Sequence, residues 1–205
     1  MPQIFHTDGV VYRLMTRLYQ ILLLNLLLVI SCLPIITIGA GVTAAYGTAF
    51  RMQQHNEGSI LKTFICKLKE EWKKSTMVWG SLMGLILLSW MGYPVIRALL
   101  FSSQISFYAG MLLLTISSLV LLYIFPLLAR FENRLSLTVL NALLLSIRHI
   151  PYSIIIFLVC VGGGLVFPFY LPQLFILWLF LGGGAVIYGS SLIFSKVFKT
   201  YDTIE

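Results

Sequence analysis

Charge is what this sequence has least of. Only 10% of its 205 residues are Asp, Glu, Lys or Arg, and 7 of them are acidic, against roughly 25% charged in an ordinary soluble domain. A soluble chain of this size could not cover its surface with so few. The acids (Asp8, Glu57, Glu70, Glu71, Glu132, Asp202 and Glu205) all fall in short polar islands. Transporters coupled to protons or sodium commonly carry an acid within a span, so this pattern argues against that class. Cysteine is scarce as well. Cys32, Cys66 and Cys160 are far apart and unpaired in spacing, which excludes a disulfide framework or a zinc motif. His6, His55 and His149 stand in separate segments without metal-ligand spacing. No P-loop is present, no nucleophile–base constellation appears, and no hydrophilic module exists to bind nucleic acid. The reading is therefore not an enzyme, with no cofactor and no metal.

What is there instead is uncharged length. Residues 18–50, 75–96, 98–129 and 150–195 hold no charged side chain, and a helix crosses the hydrocarbon in about 20 residues. With 59% hydrophobic residues and a mean hydropathy of +0.95, the expectation is an all-α, polytopic transmembrane helical bundle forming one integral membrane domain, residues 1–205. Its partner is first of all the lipid bilayer. Membrane segments are expected at about 18–33, 75–96, 106–129, 150–168 and 173–195, the last two separated by a Pro- and aromatic-rich turn around Pro168 and Pro172. Residues 37–50 follow Pro34 and are rich in small side chains. Gly39, Thr43 and Gly47 recur every four positions, the pattern that lets helix backbones approach closely in lipid. This stretch reads as a short return span, a re-entrant helix, or the extension of one long first helix. Five to six membrane segments result.

The basic residues give the orientation. If 37–50 returns, 13 of the 14 Lys and Arg lie on one side, with Arg97 alone opposite. If it does not, the split is 11 to 3. The positive-inside rule favours the first, placing both termini in the cytoplasm. Val29-Ile30-Ser31-Cys32 resembles a lipoprotein cleavage box, but the apolar run continues past Cys32, which argues against processing.

Two amphipathic cytoplasmic interface helices are expected between spans. Residues 59–74 alternate an apolar face with lysines, and Trp72 sits at its rim. Residues 134–149 carry a polar stripe of Arg134, Thr138, Asn141 and Arg148. The resulting order of hairpin, interface helix, hairpin, interface helix, hairpin predicts parallel structural copies related about the membrane normal. Candidate helix-packing residues are Asn25, a carboxamide inside a span that needs an interhelical partner, and Gly39, Gly47, Gly80, Gly84, Gly163 and Gly183. The triplets at 162–164 and 182–184 also admit a reading as an unwound solute site. Arg130, Glu132, Arg134 and Trp72 are candidate partner contacts on the basic side.

Leu24-Asn25-Leu26-Leu27, then Cys32-Leu33-Pro34-Ile35-Ile36-Thr37-Ile38-Gly39-Ala40 and Thr43-Ala44-Ala45-Tyr46, resemble the signature of the YesL family of bacterial membrane proteins. The stretch 64–79 and the residues Ile124-Phe125-Pro126-Leu127-Leu128-Ala129-Arg130-Phe131-Glu132 resemble its later blocks. The resemblance covers most of the chain and is most specific in the first 80 residues. It implies a multi-pass protein of the bacterial cell membrane, without catalytic residue or cofactor, in an accessory or regulatory role beside a carbohydrate-uptake system. Sugar ABC-transporter subunits are then the expected partners, and self-association stays open. The alternative is a small transporter or channel for a neutral solute.

Overall fold

The computed structural model describes residues 10–54, 59–99, 117–118, 120–131, 135–170 and 172–202. Among them the chain is helical, with no strand. Helix α1 (Val10–Cys32) stops where Leu33 precedes Pro34, because proline disfavours a helical residue before it and cannot donate to the ladder. A 3-10 turn, Ile35–Thr37, reverses the chain into α2 (Ile38–Gln53). The two helices form an antiparallel hairpin. Gly41 faces Ser31 and Cys32 near the turn, and at the open end the Arg17 guanidinium donates to the Met52 carbonyl at 2.8 Å. One long first helix is thereby excluded.

Helix α2 is the centre of the bundle. Every residue from Gly39 to Phe50 except Val42 is buried, and α1, α3 and α8 all pack on it. Its small side chains are what allow this, since bulky ones would hold three neighbours apart.

Helix α3 (Ile60–Leu99) runs unbroken for 40 residues, about 60 Å at 1.5 Å per residue. This corrects the expectation of a separate interface helix over 59–74. Composition changes sharply near Ser75, but residues 60–79 contain no glycine or proline, so nothing interrupts the backbone hydrogen bonds. Gly39 faces Ser75 and Trp79, and Gly47 faces Lys67, so α3 lies antiparallel to α2.

Residues 100–116, where the segment expected at 106–129 begins, lie outside the described residues. Helix α4 (Val120–Arg130) comes next. Helix α5 (Leu135–Arg148) is distinct and meets the next helix at 100°, with Pro151 in the first turn beyond the bend. Its polar positions Thr138 and Ser146 turn inward, while Leu137, Leu140, Leu144 and Ile147 face outward. Residues 60–74 are continuous with the apolar half of α3, whereas α5 is bent sharply away from its successor. The expectation of parallel copies is therefore overturned.

Helix α6 (Ile150–Phe157) passes into a π-helical stretch, Leu158–Val166, and then the short α7 (Phe167–Tyr170). A 3-10 turn at Pro172–Leu174 leads to α8 (Phe175–Asp202). By length and composition two helices can cross a membrane, Val11–Cys32 and Phe175–Phe198, and the bent pair Leu135–Arg148 and Ile150–Gly164 makes up to three. Among the described residues the protein is thus an all-helical membrane protein with fewer clear spans than the five to six expected.

Candidate functional site

Polar groups inside this apolar bundle are few, and several of them join two helices. The Asn25 side chain is 2% exposed. Its Nδ2 donates to the Leu179 carbonyl at 2.7 Å, and its Oδ1 accepts from the Gly184 backbone N–H at 2.8 Å. This amide clamp is possible because α8 is bare there. A Cβ on Gly184 would stand 2.6 Å from the Ile21 carbonyl, and one on Gly183 would stand 2.8 Å from Asn25 Oδ1. Gly163 serves the neighbouring contact: its Cβ would meet Val186 at 2.8 Å, and its carbonyl accepts from the Trp178 indole N–H at 2.7 Å. Two shallow apolar grooves flank the clamp, lined by Leu26, Val29, Leu179 and Trp178.

Three further relays cross the core. Ser75 Oγ donates to Thr43 Oγ1 at 2.9 Å, and Thr43 in turn donates a hydrogen bond to the Gly39 carbonyl. Ser190 donates to the Val186 carbonyl, so the Tyr46 hydroxyl is the donor in their 3.0 Å bond. Ser153 likewise donates to the Ser146 carbonyl and receives Tyr123 at 2.7 Å. Each hydroxyl pair ends on a backbone carbonyl, which satisfies groups that are costly to leave alone in lipid. Ser31 and Thr37 bond nearby carbonyls, as expected of such residues. The arrangement holds helices together. Among the described residues no cluster of His, Cys, Asp or Glu could bind a metal ion.

One end of the bundle is basic and aromatic. The Arg130 guanidinium lies 5.4 Å from the Phe198 ring and 5.9 Å from those of Phe50 and Phe131, a cation–π nest. Phe198 stacks on Phe194, whose edge-to-face partners are Tyr46 and Tyr123. Arg130, read from sequence as a partner contact, thus has an intramolecular role as well. Trp72 is 52% exposed. Glu132 and Arg134 lie outside the described residues.

Asn25, Gly39, Gly47, Gly163 and Gly183 all sit at close helix contacts, although Gly47 meets a lysine side chain, at 3.3 Å. A Cβ on Gly80 or Gly84 would have no described atom within 4 Å. Sequence reasoning missed Tyr46, Tyr123, Ser153 and Ser190. Their partners are 30 to 144 residues away, and a lone Ser or Tyr in an apolar run carries no signal of pairing. Glu71 reads in the sequence as a solvated acid, whereas the fold buries it, 4.0 Å from Lys74. On the outer surface of the same helix the Lys67 ammonium donates to the Glu70 carboxylate at 2.7 Å.

No curated protein and no solved structure matches the chain. Residues 21–93 match the family described as "Protein of unknown function, DUF624", a stretch that takes in part of α1, all of α2 and most of α3.

Proposed function

We propose that the chain is a YesL-type multi-pass protein of the bacterial cell membrane, with five to six membrane segments and both termini cytoplasmic. In this reading it is a non-enzymatic accessory or regulatory subunit of a carbohydrate-uptake system. The observation that carries the reading is the state of the interior. Asn25, Thr43, Tyr46 and Tyr123 all have their hydrogen bonds taken up in joining helices, so the polar interior serves assembly rather than turnover. Two arginines, by contrast, mark one end among aromatic rings, where Arg17 reaches the end of α2 and Arg130 meets Phe198. Such an end suits the cytoplasmic side.

A second reading, a small transporter or channel for a neutral solute, draws on one feature. The π-helical Leu158–Val166 stretch contains the glycine triplet 162–164, and π-helical turns are frequent at functional sites. Affinity purification from the native membrane separates the two. Co-purifying sugar ABC-transporter subunits support the accessory role. A lone oligomer that moves a sugar in liposomes refutes it.

A further inference from the structure

Lys62, Lys69 and Lys73 of α3 stand at i, i+7 and i+11, one straight row about 16 Å long. All three are exposed, and among the described residues none has an acidic partner. The other two lysines of this stretch are tied within the chain, Lys67 to Glu70 at 2.7 Å and Lys74 to Glu71 at 4.0 Å. Ile65, Cys66 and Trp72 are exposed beside the row. We propose that this row is the docking face for an acidic helix of a different membrane protein running alongside α3.

The direction of the row decides between occupants. α3 is antiparallel to α2, and α2 is antiparallel to α1, so the row follows the bundle axis. A headgroup plane cuts across that axis and meets the row at one level only. A helix with Asp or Glu at matching spacing meets all three lysines at once. The row also sits beside the middle of α2, where Gly47 faces Lys67, at a level where α1 shows Leu22 and Leu26 to its surroundings. Acyl chains that suit those leucines do not solvate three ammonium groups, whereas carboxylates do. A second copy is a poor occupant. The chain carries a net charge of +7, and the acids of this helix, Glu70 and Glu71, already face lysines of their own. Like charges across an interface suppress such pairing. The inference rests on the accessory reading for the existence of a partner, and it adds the partner's chemistry and the face it uses.

The test uses Cys66, which lies one turn after Lys62 and is exposed. The full-length protein in native membranes is labelled with a photoactivatable maleimide and irradiated, with Cys66→Ser as the control for labelling elsewhere. The expected adduct is a different protein, cross-linked through a peptide with carboxylates at helical spacing. Its yield falls about tenfold or more in Lys62→Glu/Lys69→Glu/Lys73→Glu and persists in the triple arginine variant, as expected when like charges replace complementary ones. If the glutamate variant does not fold, the triple glutamine variant is read in its place and must also lose yield. Adducts with phospholipid alone, with a second copy alone, or with a segment lacking acids overturn the proposal, as does a yield indifferent to charge. Transporter subunits that co-purify without this adduct remove the inference and leave the accessory reading standing. An acidic adduct on a protein outside any transporter does the reverse.

Discussion

Glycine-to-alanine substitutions should change sign along this chain. A Cβ on Gly184 would stand 2.6 Å from the Ile21 carbonyl and 2.9 Å from the Asn25 Cβ. The obstacle is backbone, so no rotamer change relieves it. Restoring an ordinary contact of 3.4 Å opens the α1–α8 pair by about 0.8 Å. The two Asn25 bonds, now 2.7 and 2.8 Å, then stretch to the edge of hydrogen bonding. Overpacking costs about 1–3 kcal/mol, and each interhelical bond in a membrane protein is worth on average about 0.6 kcal/mol. Against this, alanine gains about 0.8–1 kcal/mol of helix propensity. Gly184→Ala should therefore lose about 1–3 kcal/mol net. Gly80→Ala faces no described atom within 4 Å and should gain up to about 1 kcal/mol. Reversible unfolding of the detergent-solubilised protein by SDS titration, followed by tryptophan fluorescence, measures both. Equal shifts in the same direction would refute the packing argument.

Asn25→Leu removes both bonds of the clamp and should destabilise the bundle by about 1–2 kcal/mol in the same assay, with Asn25→Gln failing to restore it because the longer amide overshoots Gly184. Arg130→Gln should cost about 0.5–2 kcal/mol through loss of the ring contacts, and Arg130→Lys should recover only part, since an ammonium lacks the guanidinium plane.

Much of the helix inventory is legible in the sequence because Pro34 and Pro172 interrupt apolar runs where backbone hydrogen bonding must stop. Residues 59–74 mislead because a change of composition there resembles a break. Lysines followed by leucines end nothing when neither glycine nor proline intervenes. The central position of α2 is hidden for a related reason. A helix buried on all sides has no polar face, so its pattern of Gly39, Ala40, Thr43, Ala44 and Gly47 reports closeness without saying to how many neighbours. Asn25 announces that it needs a partner, but the partner is the backbone of a helix 154 residues away. Arg130 reads as a surface charge because Phe50 and Phe198, whose rings it meets, are separated from it by 80 and 68 positions.

The unbroken α3 has a consequence for the bilayer itself. Its Trp79 indole donates to the Ile35 carbonyl at 2.9 Å, so it reaches the level of the Pro34 turn only halfway along. Residues 60–79 run beside the α1–α2 hairpin, and residues 80–99 continue for about another 30 Å. A film with a hydrocarbon layer about 30 Å thick, centred on α1, ends close to that tryptophan. Two apolar lengths set end to end therefore compete for one layer, and hydrophobic mismatch of this kind is relieved by tilt or by local thickening. Acyl-chain length then becomes a variable to which this protein should respond, in stability and in the membrane it settles in.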